Sequence, residues 1–195
     1  NGDEATDVVL DAMTTLLARH PRPDHRHTLQ HCQMADAAQL QRVRALGMCV
    51  NFFANHLYYW GDAHYSQTIG PDRANRMDAA GSARRLGIPF ALHSDAPITP
   101  LNPLFTAWCA VQRETASGRV LGEAERLPVD AALHAITLGA AYTLRMDHLV
   151  GSIEVGKYAD FAVLDDDPSV CAPARLKELA VWGTVLGGRV FRSPR

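Results

Sequence analysis

Several things are missing from this 195-residue sequence, and each absence narrows what it can be. Its four cysteines, Cys32, Cys49, Cys109 and Cys171, form no CxxC pair, so neither a zinc-finger spacing nor a disulfide framework is indicated. A reduced, cytoplasmic setting is the default expectation. No stretch approaches the roughly 20 apolar residues of a membrane span, and no basic start followed by an apolar block marks a signal peptide. Nineteen Lys and Arg against 21 Asp and Glu leave a net charge of −2 with no basic stripe, so no nucleic acid and no membrane is expected as partner. A small-molecule ligand fits better. There is no initiator methionine: Asn1-Gly2-Asp3 runs almost directly into a helix, and the start reads as a cut through a larger protein.

What is present is a hydrophobic content of 47%, enough to bury a sizeable core. Val9, Met13, Leu16 and Leu17 recur at helical spacing after Asp7, up to a Pro21-Arg22-Pro23 break. Arg26 to His31 reads as a strand ending near His31, followed by a helix with Leu40, Val43 and Leu46 on one face and Gly47 as its C-terminal cap. Met48 to Phe53 reads as a second strand. A long loop is then expected to carry Asn55, His56, Tyr58, Tyr59, Trp60, Asp62 and His64, and a helix from Asp72 to Gly87 follows.

The apolar run from Gly87 to Leu92 suits a strand covered on both faces, and it stops abruptly at His93-Ser94-Asp95. Asn102-Pro103 offers an N-cap with proline at the first helical position, and Pro128 opens another helix. From Val150 the alternation gives way to Gly-punctuated strands at Gly151 to Ile153, Tyr158 to Leu164 and Ala180 to Phe191, the last with a Gly187-Gly188 hairpin turn. The fold class is therefore α/β, with a body over 1–149 and a small β layer over 150–195.

His31 and Asp95 would each end a parallel strand, where a neutral imidazole and a carboxylate can converge on one cation. An Asp ending so apolar a strand needs a partner for its charge; the plainer reading is an Asp that caps the following loop. His27 shares a face with His31 and reads as structural. His93 fits either a support for Asp95 or a core histidine. His56, His64 and Arg73 suit the binding of a polar substrate group, or an ordinary solvated surface. Tyr59 and Trp60 could form an apolar wall. Cys32 lacks the base and electropositive setting that a nucleophile needs.

Phe90-Ala91-Leu92-His93-Ser94-Asp95-Ala96-Pro97, Leu29-Gln30-His31-Cys32-Gln33 and the late run from Gly151 to Leu164 together resemble the amidohydrolase superfamily. The likeness is to its family 3 branch, which includes proteins similar to N-substituted formamide deformylase. Gly-Ser-Ile-Glu-Val-Gly-Lys-Tyr-Ala-Asp is the most specific segment, and Asp165 to Pro168 and Gly183 to Phe191 extend the likeness toward the end of the chain. The resemblance implies the C-terminal part of a (β/α)8 TIM barrel, about strands 6 to 8, followed by a β-sandwich segment. It implies a hydrolase in which a divalent metal, usually zinc, activates water against an amide-like C–N bond. By motif, His31 corresponds to the metal-ligating histidine of strand six, and Asp95 to the strand-eight aspartate that serves as base and often touches metal.

The departures are large. The strand-five histidine would precede residue 1, and the His-x-His pair of strand one has no counterpart; His25-Arg26-His27 has that spacing but precedes the strand that ends at His31. Catalytic zinc takes at least three protein ligands, so the segment alone is expected to bind metal poorly or to lack it. Two readings follow. In one, the chain is part of a hydrolase whose missing N-terminal half completes the site. In the other, it is a noncatalytic α/β module whose open strand edges favour homo-oligomers.

Overall fold

The computed structural model describes residues 1–193, so the last two positions of the 150–195 tail lie outside it. Three parallel strands, β1 (Thr28–His31), β2 (Cys49–Phe52) and β3 (Phe90–Leu92), form one sheet in the order β1-β2-β3. β2 runs down its middle, buried almost throughout, with Val50 and Phe52 fully enclosed. Each such side chain contributes about 1.5–3 kcal/mol by leaving water, which is why this short strand anchors the body.

α1 (Asp3–Arg19) precedes the sheet, α2 (Ala37–Ala45) joins β1 to β2, and α3 (Asn55–Ala63), α4 (Gly70–Arg76) and α5 (Ala80–Leu86) lie between β2 and β3. α6 (Pro103–Gln112), α7 (Val129–Ile136) and α8 (Leu138–Thr143) follow. Local chemistry sets several boundaries. Asp36 caps α2 by accepting from the Gln39 N–H at 2.8 Å, while the Gln39 side chain accepts from the Asp36 N–H. Asn102 likewise accepts from the Phe105 N–H at 3.1 Å at the start of α6. Gly87 ends α5 in the left-handed region at φ 67°.

The tail forms a second sheet of antiparallel strands, β4 (Phe161–Leu164), β5 (Val181–Leu186) and β6 (Arg189–Arg192), in that order. Gly187 and Gly188, both at positive φ, make the β5–β6 turn as expected. Between β4 and β5 the chain crosses back to the body, where Leu176 is fully buried and the Lys177 ammonium sits 3.7 Å above the Trp108 ring.

Four local expectations are corrected. The polar, aromatic stretch after β2 is helix α3 followed by a π turn at His64–Thr68, not a loop. The expected helix from Asp72 is two helices broken at Met77-Asp78-Ala79. Gly151 to Ile153 is not a strand; Ile153 is 84% exposed. On α1 the buried face is Thr6, Leu10 and Met13, while Val9 and Leu16 face solvent. Both stripes satisfy helical spacing, and the docking of the helix chooses between them. Among the described residues, no helix is long and apolar enough to cross a membrane.

Candidate functional site

The register of the sheet gathers the site. His31, Phe52 and Leu92 are aligned across β1, β2 and β3, and His93 is the next residue after Leu92, so His31 and His93 both stand at the carboxyl end of the sheet, on its two outer strands. Their rings lean together to a centroid distance of 5.0 Å. Phe53 lies against both, 5.7 Å from His31 and 5.3 Å from His93.

The backbone is strained where these residues leave the strands. His31 has φ 64° and is the centre of a γ-turn closed by the Cys32 N–H donating to the Gln30 carbonyl at 2.8 Å; Cys32 follows at φ 50°. Such turns are rare because Cβ crowds the backbone, at about 1–3 kcal/mol for each residue so held. Asp95 is also left-handed, at φ 53°. Its N–H donates to His93 Nδ1 at 3.1 Å. Asn55 donates to Thr99 Oγ1 at 2.8 Å and the Thr99 hydroxyl donates to the Ser94 carbonyl, tying the Asp95 loop to the start of α3. A cavity of about 330 Å³ opens beside Asp95, walled by Leu92, His93, Pro103, Thr106 and Ile136. The larger hollow, about 670 Å³, opens at the other end of β3 around Pro89, Phe90, Tyr142 and Lys157, away from this chemistry.

From Phe53 the cluster continues along α3. The His56 ring lies 4.9 Å from Phe53, 5.1 Å from Trp60 and 5.1 Å from His64. Burial, helped by the neighbouring His64 and His31, pulls the His56 imidazole down to about 4; burial and His31 do the same to His93. Both rings are therefore neutral near pH 7. Arg73 is paired with the Asp3 carboxylate. His25 is fully committed: Nε2–H donates to the Leu46 carbonyl at 2.8 Å, and Nδ1 accepts from the His27 N–H at 3.1 Å. Burial pushes the Cys32 thiol up to about 12, which leaves it protonated and unreactive.

His31 Nδ1 is buried without a hydrogen-bond partner, and with the Asp95 carboxylate it provides two donors of the kinds that bind divalent zinc. These residues fit part of a metal shell. Among the described residues, no group of three or more His, Cys, Asp or Glu is placed to hold an ion.

Sequence reasoning passed over two buried residues behind the site. The Asp78 N–H donates to the Gln33 carbonyl at 2.9 Å, joining the α4–α5 break to the loop after His31, and Arg113 from the end of α6 donates to the carbonyls of Met77 and Asp78. Neither has a local pattern that announces it. Burial holds the Asp78 carboxyl well above the usual carboxylate range, against the pull of the Arg113 charge, and both its oxygens lack partners. The unfolded chain releases that proton near pH 3.9 while the fold retains it, so folding is favoured below that pH and loses stability as pH rises through the raised value. Asp78→Asn is accordingly expected to melt close to wild type at pH 4 and above it at pH 8. Thermal melts at the two pH values check this, and an Asn variant less stable than wild type at pH 8 would overturn it.

The histidines and the aspartate thus stand at the carboxyl ends of parallel strands in an α/β sheet, the end at which α/β folds carry their sites. The chain belongs to the amidohydrolase family, whose sequence profile matches residues 1–192. It is 32% identical over 188 residues to N-substituted formamide deformylase of Arthrobacter pascens, covering 96% of this chain and 34% of that protein. It is 33% identical to the Bacillus subtilis (strain 168) protein YtcJ, covering 97% of this chain and 36% of that one. An uncharacterized metal-dependent hydrolase from Pyrococcus horikoshii OT3 superposes with a TM-score of 0.74 at 26% identity, over 88% of this chain and 34% of its own. The chain thus spans about a third of the length of these three proteins.

Proposed function

We propose that this chain supplies the C-terminal part of a (β/α)8 barrel, with β1, β2 and β3 as strands six to eight and β4 to β6 as part of a β-sandwich. The whole protein would be a hydrolase of C–N bonds in a small amide-like substrate. The observation that carries this reading is the meeting of His31, His93 and Asp95 at the carboxyl end of one parallel sheet, on strained backbone.

In this reading His31 and Asp95 are the metal ligands given by this chain, and the remaining ligands come from barrel strands outside it. A divalent metal, zinc by family likeness, supplies Lewis acidity and a bound water of lowered pKa. Asp95 accepts the proton of the attacking water and returns it to the leaving nitrogen. His93 fixes the Asp95 backbone so that the carboxylate keeps its aim. Phe53 excludes solvent between the imidazoles, and His56 and His64 border the substrate, with Arg73 further out on its Asp3 pair.

The test joins the chain to the coding sequence upstream of it and follows amine release from N-substituted amides. Hydrolysis is expected to stop on treatment with a metal chelator and to return when zinc is added back. Hydrolysis that continues in the metal-stripped protein, or a protein with an upstream half that hydrolyses no amide, would sink the proposal.

A further inference from the structure

A polar chain of Gln33, His64 and His56 runs beside Phe53, and two of its members converge on one nitrogen. Gln33 Nε2 lies 3.3 Å from His64 Nε2, and the same amide nitrogen faces Met77 Sδ at 4.0 Å, a weak acceptor, which orients the amide with its N–H groups toward His64. His64 Nε2 must then accept, which makes Nδ1 the protonated nitrogen. It donates to Thr68 Oγ1 at 2.8 Å. His56 Nε2 also stands 3.4 Å from His64 Nε2. Since that atom carries its lone pair, His56 can only be the donor there.

Two N–H donors, from Gln33 and from His56, therefore compete for one lone pair, at distances long for a good hydrogen bond. An imidazole nitrogen has a single in-plane lone pair, so one of the two donors is always poorly satisfied. His56 is packed against Phe53 and Trp60, and Gln33 is buried, so neither turns away freely. A surplus, held donor beside the site has a use when a ligand brings an acceptor.

We propose that Gln33 and His56, oriented by His64, form a binding site for an acceptor oxygen of the substrate, either a carboxylate or an amide carbonyl. When the oxygen arrives, it takes the competing N–H and leaves His64 with one donor. This rests on the hydrolase reading only for what the oxygen is attached to. His64 is a positioning residue here, since it acts by setting the direction of the other two.

The test is long-range 1H–15N NMR of the histidine rings in the 195-residue chain. His64 is expected as the Nδ1–H tautomer and His56 as Nε2–H. Acetate and N-methylacetamide, added separately, are expected to shift His56 Nε2 and the Gln33 side-chain amide, while the doubly engaged His25 stays still. A response to acetate identifies a carboxylate, and a response to N-methylacetamide identifies an amide carbonyl. Gln33→Met and His56→Phe are each expected to weaken the responding probe by about three- to tenfold, the effect of one neutral hydrogen bond. The inference falls if His64 carries its proton on Nε2, if neither probe moves these signals, or if both variants bind as wild type does. The readout needs neither metal nor turnover, so it stands or falls apart from the hydrolase reading.

Discussion

Replacing Arg113 by alanine is expected to destabilise the fold by about 4 kcal/mol, a large share of the roughly 5–15 kcal/mol that holds a domain together. Arg113 is 0% exposed, and its guanidinium donates to three backbone carbonyls: Leu121 at 2.5 Å, Asp78 at 2.9 Å and Met77 at 2.7 Å. Burial lowers its pKa only to about 10, so it stays charged at neutral pH. Alanine would strand these carbonyls in the interior, at about 1–3 kcal/mol for each group left unpaired, and open a hole as well. For a chain of this length that lowers the melting temperature by about 10 °C. Arg113→Lys should fall between, because a single ammonium lacks the planar fork that reaches three acceptors. Urea or thermal unfolding measures this, and an alanine variant within about 1 kcal/mol of wild type would refute the hub assigned to Arg113.

In the hydrolase proposed above, Asp95→Asn is expected to lower amide hydrolysis by about 10²- to 10⁴-fold, the range for removing a positioned proton-transfer group. Asparagine keeps the size of the side chain and the N–H that donates to His93, so the Asp95 loop should retain its tie to β3. What it loses is the ability to take a proton and the negative charge that Asp95 would offer a metal, so metal content is measured alongside turnover. The variant should fold as wild type does by circular dichroism, with the loss in kcat rather than in binding. A variant within tenfold of wild-type turnover would remove Asp95 from its assigned role.

Much of the body was legible in the sequence because it depends on neighbours along the chain. The run to Leu92, the strand ending at His31, the Asn102-Pro103 start of α6 and the Gly187-Gly188 turn were found where expected, since apolar runs and caps act over a few residues. α3 was not. Asn55, His56, Tyr58, Tyr59, Gly61 and Asp62 are mediocre to poor helix formers, and tertiary contact makes the helix: Asn55 and Leu57 are buried, and a Cβ on Gly61 would stand 2.6 Å from Thr115 Cγ2. The packing of that helix against the 113–121 segment is what makes it helical, and no window of sequence contains both.

The candidate site divides the same way. His31 and Asp95 were recognisable by their places at strand ends, and the likeness to amidohydrolases rests on motifs that are contiguous in the chain. Sequence by itself determined the α/β class, the strand ends and the family. Only the tertiary structure decided that His31 and His93 meet across two strands, that Arg73 is taken up by Asp3, that Gln33 and His56 compete for His64, and that Arg113 carries the loops behind them. The physical reason is range: periodicity, capping and turn chemistry act between residues a few positions apart, whereas these contacts join residues 8 to 70 positions apart, and packing alone brings them within reach.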